Sequence, residues 1–396
     1  MKFAFISTMC GAPWGGSEEL WSHAAERLLA AGHEVHIGVL EWPARQPSMI
    51  TGLGQTGAVL HMWPPPRNLR SRLKRKFFAH SDFAWLDKIH PDLLVISQGS
   101  NFDGVPCMLH ALSQRIAYVP IAHMAASGCW PPSDESEAGA RAYVGARLCC
   151  FVSEGNRRLT ERQIAARLDR VEIVRNPFNV SYDANPAWPA SNEPLQLACV
   201  GRLCADAKGQ DLLLDVLSRP RWRDRTLRVR FFGDGPSRGH LQRLSNMLEL
   251  ESVDFAGHVG DIEHVWSQHH ALVLASRFEG LPIALVEAML CRRAALVTDI
   301  PGNAELISDG IDGFVAAGPN ADMLDDAMER LWIHRDELRA MGQAAGESIR
   351  RSVPRDPVGR FVEVLLGETS PSHVARAAQP SDQCPAENSE SQVLPI

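Results

Sequence analysis

The sequence predicts an α/β fold made of two doubly wound domains with parallel sheets. Three observations predict it. Short apolar runs of strand length, such as Phe3–Ile6, Leu93–Ile96 and Ala271–Ala275, alternate with helical patterns. The alternation stops between Asn179 and Pro194, where Pro, Asn, Ser and Ala carry no periodicity, and it restarts at Leu195. Polar, glycine-containing loops follow several of these runs, at the edge where open α/β sheets bind ligands.

Composition narrows the function. The chain has 396 residues, 45% hydrophobic and 22% charged, enough for two substantial cores. A formal charge of −7 argues against general nucleic-acid binding, which needs a basic surface to displace counterions. The nine cysteines show no metal-ligand spacing and read as reduced thiols. No run is long and apolar enough to span a bilayer, and the expectation is a cytoplasmic protein.

In the first half, Phe3–Ile6 reads as a buried strand, followed by a loop from Thr8 to Gly16. A helix is expected from Ser17 as N-cap, with Glu18 and Glu19 favoured in its first turn. It ends at Gly32, and Glu34–Leu40 alternates into the second strand. Gly15 and Gly16 let the backbone approach a ligand or make a tight turn. Strands are also expected at Leu93–Ile96, Ile116–Ile121, Leu148–Val152 and Val171–Val174. His123 follows the second of these; it is either a core histidine or a ligand contact. A basic segment, Arg67, Arg70, Arg72, Lys74, Arg75 and Lys76, ends in Phe77-Phe78. It reads either as a solvated segment or as a peripheral contact with the anionic inner face of a membrane.

The expected domains are 1–178, a linker 179–194, and 195–353. A terminal helix at 354–367 should pack back toward the first domain, and a Ser-, Pro- and Gln-rich tail, 368–396, should be disordered. In the second domain three loops share the carboxyl edge. Arg202 and Lys208 bring fixed charge beside glycines, which suits a diphosphate. Gly233-Asp234-Gly235-Pro236 allows close backbone approach before a helix. Glu279, after the strand Ala271–Ala275, and Glu287, on a helix starting near Pro282, offer acceptors for polyol hydroxyls. Cations for phosphate and carboxylates for hydroxyls together suggest a nucleotide-sugar.

These residues resemble the retaining GT-B glycosyltransferases of family 4. The resemblance rests on Gly201-Arg202-Leu203 with Lys208-Gly209, Gly233-x-Gly235-Pro236, Glu279-x7-Glu287, and the run from Gly302 through Glu305-Leu306-Ile307 to Asp309-Gly310 and Gly313. It covers residues 1 to about 367. The loop between Arg202 and Lys208 is one residue longer than the commonest family spacing.

The resemblance implies GT-B architecture, two Rossmann-like domains facing a cleft. It implies that Arg202 and Lys208 hold the donor diphosphate and that Glu287 accepts from the ribose. Glu279 and the amides of Gly280 and Leu281 would hold sugar hydroxyls, with His123 near the donor sugar and Gly16 approaching the phosphates or acceptor. Gly233 and Gly235 would complete the donor site. His123, Glu279, Arg202 and Lys208 are thus the implied catalytic set. No cofactor or metal is expected. The implied reaction is retaining transfer from a nucleotide-sugar to a saccharide or lipid-linked acceptor in polysaccharide, glycolipid or glycoconjugate synthesis. A GT-B epimerase or phosphorylase, or a non-catalytic scaffold, are the alternatives.

Overall fold

The computed structural model describes residues 1–9, 13–42, 46–64, 82–190 and 194–369. Two parallel sheets organise it. The first contains β1 (Lys2–Ser7), β2 (Glu34–Leu40), β3 (Val59–Trp63), β4 (Leu93–Gln98), β5 (Tyr118–Ala122), β6 (Cys149–Phe151) and β7 (Val171–Ile173). Their order is β3-β2-β1-β4-β5-β6-β7. The second contains β8 (Leu195–Val200), β9 (Leu227–Phe232), β10 (Val253–Gly257), β11 (Ala271–Leu274), β12 (Ala294–Thr298) and β13 (Gly313–Ala316), ordered β10-β9-β8-β11-β12-β13. The order reverses beside β1 in one sheet and beside β8 in the other, so a crevice opens at the carboxyl ends of both pairs.

Both faces of each sheet are covered, which is why the central strands are near-continuously apolar. Phe3, Phe5, Val95 and Ile121 belong to the cluster on one face of the first sheet, and Ala4, Ile6, Leu94 and Ile96 to that on the other. In the second sheet Leu197, Val229, Val273 and Leu296 face one side while Ala198, Leu272, Leu274 and Val297 face the other. Period-two alternation along a parallel strand produces this division.

Several elements depart from the sequence expectation. The first helix spans Gly16–Ala30 with Gly15 as its N-cap, so Ser17 lies inside it, and no side chain caps that end. A helix at Ser48–Gln55 and the edge strand β3 were not anticipated, nor was β13. Exposed Val59 and Met62 blur the alternation of β3. After β13 come two helices, Ala321–Ile333 and Leu338–Ser352, separated by a 3-10 turn at Arg335–Glu337. The basic segment Arg67–Phe78 lies outside the described residues, as do residues 370–396. No helix among the described residues is long and apolar enough to cross a membrane.

The last helix, Pro357–Glu368, ties the two halves together. Pro357 opens its first turn, where the missing N–H costs nothing, and Asp356 caps it by accepting from the Gly359 N–H at 2.9 Å. Its Val358, Phe361 and Leu365 join the core of the first domain. Asp356 also pairs with Arg27, and Glu368 with Arg147 and Arg170.

Candidate functional site

The crevice is lined by loops that follow β1, β5, β8 and β11. The loop after β8 is fastened to the loop after β11 by backbone and side chain together. The Arg277 N–H donates to Ala207 O at 2.8 Å, and its guanidinium donates to Ala205 O at 2.7 Å. The same guanidinium grips both oxygens of Asp211 at 2.7 Å each. Gly209, at φ +60°, sits so close that a Cβ there would lie 1.9 Å from Ala275 O. The chain from Arg202 to Lys208 therefore cannot swing free of the chain from Ser276 to Glu279.

The product of that stapling is an ion pair. Lys208 Nζ donates to Glu279 Oε1 at 2.6 Å and to Oε2 at 2.7 Å, while Ser276 Oγ donates to Oε1 at 2.8 Å. The Glu279 side chain is 7% exposed and Lys208 27%. The additional loop residue has not displaced Lys208 from the site. The two groups assigned from sequence to phosphate and to sugar are neighbours here, joined to each other.

Arg202 is exposed at the crevice and reaches across it, donating to Trp14 O at 3.2 Å. A Cβ on Gly15 would lie 3.2 Å from the same guanidinium, and one on Gly16 would lie 2.7 Å from Ile283 Cδ1. The glycine pair thus lets the first domain approach the second closely at this point.

Glu287 is 3% exposed, and its Oε1 accepts from the Asn179 N–H at 2.8 Å and from Asn179 Nδ2 at 3.0 Å. Burial pushes its carboxyl up to about 7, against the lowering effect of those two bonds. The helix that carries it spans Ile283–Leu290, with Pro282 as N-cap.

Gly233 and Gly235 pack on the loop that carries Arg202. At φ +127°, Gly233 packs on Gly201 O, to which a Cβ would come within 2.1 Å. A Cβ on Gly235 would lie 2.4 Å from Leu203 O. Their close approach is to the Gly201–Leu203 backbone. They shape the loop that carries Arg202.

His123 follows β5 and is 6% exposed, with neither ring nitrogen hydrogen-bonded. Burial holds its imidazole down at about 3, so it is neutral at physiological pH. Its carbonyl faces Gly280: a Cβ there would lie 1.6 Å from His123 O. Gly302, at φ +88°, closes on Gly280 O in turn. Leu281 is buried in the core of the second domain.

Three contributors were not legible as site residues. Asn179 holds Glu287, Ser276 holds Glu279, and Asn156 bridges the two domains. Asn179 opens the linker and Ser276 directly follows the strand Ala271–Ala275, which is the one signal that pointed to them. Asn156 sits in an ordinary helical turn and gave no signal. Among the described residues no group of three or more His, Cys, Asp or Glu is placed to hold a metal ion.

Two doubly wound parallel domains facing each other across such a crevice define the GT-B class of fold. Residues 14–182 match the family described as Glycosyltransferase Family 4, and residues 194–334 match Glycosyl transferases group 1. The two matches take in both domains and give the chain the paired domains of the GT-B group 1 glycosyltransferases. Among curated relatives, an alpha-D-kanosaminyltransferase of Streptomyces kanamyceticus is 33% identical over 143 residues, 35% of this chain and 36% of that protein. A GDP-mannose-dependent phosphatidylinositol monomannoside mannosyltransferase of Mycobacterium tuberculosis is 29% identical over 163 residues, 38% of this chain and 42% of that protein. The chain therefore matches well under half the length of these relatives. Among solved structures, Anabaena HepE in complex with UDP superposes with TM-score 0.71 at 17% identity, covering 93% of this chain and 100% of that one. A lipopolysaccharide outer core galactosyltransferase, WaaB, gives 0.68 at 20%, covering 93% and 100%. At these identities the likeness is one of fold.

Proposed function

We propose that this protein is a retaining glycosyltransferase moving a sugar from a nucleoside diphosphate to a saccharide or lipid-linked acceptor, in polysaccharide, glycolipid or other glycoconjugate synthesis. The observation that carries the reading is the Lys208–Glu279 pair beside Arg202 at the crevice, with buried, neutral His123 on the facing loop. Cleaving a glycosyl phosphate builds positive charge on the sugar and negative charge on the leaving diphosphate. Fixed cations at the diphosphate stabilise that separation more in the transition state than before it.

In this reading Arg202 and Lys208 exchange their present partners, Trp14 O and Glu279, for phosphate oxygens. Glu279, released from Lys208, accepts from sugar hydroxyls, and neutral His123 donates to the sugar or accepts from it. Glu287, preorganised by Asn179, accepts from the ribose. The reaction uses these cations rather than a metal ion, and the leaving phosphate assists deprotonation of the acceptor on the same face. The relatives' names support the substrate class, since one is GDP-mannose-dependent and the HepE structures hold UDP, glucose or UDP-glucose.

A thermal-shift screen against UDP, GDP, ADP and their sugars tests donor binding, because a ligand of the native state raises its melting temperature. Arg202→Ala, Lys208→Ala and Glu287→Ala should each abolish donor hydrolysis or transfer while the fold survives; full activity in all three would sink the assignment. Product analysis with labelled sugar separates transfer, which needs a second acceptor, from epimerisation.

A further inference from the structure

Asn156 lies in the first turn of the helix Glu154–Gln163 and is fully buried. Every polar atom of its side chain is engaged. Oδ1 accepts from the Ala125 N–H at 2.6 Å, two residues after His123. Nδ2 donates to Gly280 O at 2.7 Å, with a longer approach to Glu279 O at 3.5 Å. It also lies 2.5 Å from Ser153 Oγ, the helix cap. The orientation of the amide follows from its partners, since an N–H can only donate and a carbonyl can only accept.

The two ends of this amide belong to different domains. One fastens the loop bearing His123, the other the loop bearing Glu279 and Gly280. Between them, His123 O is the atom on which Gly280 closes. His123 makes no hydrogen bond from its ring, and its backbone N–H donates to Gln98 O at 3.1 Å, within the first domain. The bond that reaches from its loop toward the second domain is the one Ala125 makes through Asn156.

We infer that Asn156 is a positioning residue: its carboxamide sets the distance between His123 and the sugar-holding loop Glu279–Leu281, and with it the geometry at the donor sugar. This rests on the glycosyltransferase reading. The nucleotide end of the site, Arg202, Lys208 and Glu287, makes no hydrogen bond with Asn156 among the described residues. Loss of the clamp therefore acts on turnover and leaves nucleotide affinity in place.

The test compares wild type with Asn156→Asp and Asn156→Ala, alone and with His123→Ala. Asp keeps the volume and the acceptor for Ala125 but turns an oxygen toward Gly280 O; it carries the test if the Ala variant does not fold. Hydrolysis of UDP-glucose and GDP-mannose is measured with melting temperature, UDP and GDP affinity, and hydrogen exchange at residues 124–126 and 278–282. Expected is a roughly 10- to 100-fold fall in kcat, the scale of a small misplacement of reacting groups. UDP or GDP affinity should stay within about twofold, and exchange at both loops should rise at least about tenfold. In the His123→Ala background the further loss on Asn156→Ala should shrink below about threefold, because coupled residues are non-additive. An undiminished loss in that background, or unchanged exchange in both loops, overturns the inference. A wild type that hydrolyses neither sugar nucleotide counts against the functional reading instead, and the exchange rates then decide the clamp.

Discussion

Lys208 Nζ lies 2.6 and 2.7 Å from the two carboxylate oxygens of Glu279, at the point where the second sheet reverses order. Glu279 is nearly buried, so the two residues are unequal partners. Removing the lysine leaves a carboxylate with Ser276 as its remaining side-chain donor; removing the carboxylate leaves an ammonium that water can reach. Lys208→Met should cost about 1–3 kcal/mol of stability, and Glu279→Gln less. The double variant Lys208→Met/Glu279→Gln should recover part of that loss while binding UDP or GDP no better than Lys208→Met. Denaturant unfolding and calorimetric titration check both halves. Strict additivity in stability would show that the pair is not coupled.

Two buried carboxyls make stability fall as pH rises. Glu287 and Glu18 are both pushed from 4.5 up to about 7, chiefly by burial. Glu18 keeps hydrogen bonds from Trp21 Nε1 at 3.1 Å and Ser17 Oγ at 3.3 Å. Between about 4.5 and 7 the folded chain holds more protons than the unfolded one, so each group's contribution is full below 4.5 and lost as pH rises through 7. Each costs up to ~3 kcal/mol by pH 8. Glu287→Gln and Glu18→Gln should therefore gain stability relative to wild type at pH 8 and show little change at pH 4.5. Unfolding curves at the two pH values decide it.

His123 works with the opposite sign. Its imidazole is held at about 3, below the usual 6.5, because burial disfavours the cation. The unfolded chain binds the extra proton below 6.5, so the contribution is present above that value and lost as pH falls toward 3. His123→Asn should narrow the acid-side loss of stability between pH 6 and 4. In wild type the pH–rate profile should carry no inflection from His123 between pH 5 and 8, while His123→Ala should lower kcat about 10- to 1000-fold. A titration of His123 followed by NMR with a midpoint near 6.5 would contradict its burial.

Glycines in this chain differ in what a methyl group meets. At Gly280 it would meet His123 O at 1.6 Å, so Gly280→Ala must part the two domains at the crevice. We expect at least about a 100-fold loss of turnover, since shifts of this size misplace reacting groups. At Gly310, with φ +77°, there is open space, and only the left-handed backbone is penalised. Gly310→Ala should cost about 1–2 kcal/mol and leave kcat unchanged. Similar losses of turnover in the two variants would deny the seam its role.

The amino-acid sequence by itself determined the fold class and the chemistry available at the crevice. Strands such as Leu93–Gln98 and Ala271–Leu274 are apolar because both faces are covered, and that signature is local. Arg202, Lys208 and Glu279 are legible because charged residues beside glycines in the loops after strands have few structural reasons to be there, and Glu287 is legible from its place on the helix that follows Glu279. Short, polar or edge elements were less legible: β3 has exposed apolar residues, and Gly15 rather than Ser17 caps the first helix. Only the tertiary structure decided who touches whom. Lys208 meets Glu279 because Asp211 and Arg277 staple two loops distant in sequence. Gly233 and Gly235 turned out to pack against backbone, since a glycine's missing side chain does not reveal which neighbour requires its absence. Asn156 became visible only across the domain seam, where one amide joins Ala125 to Gly280, because a hydrogen bond depends on distance and direction that no local pattern encodes.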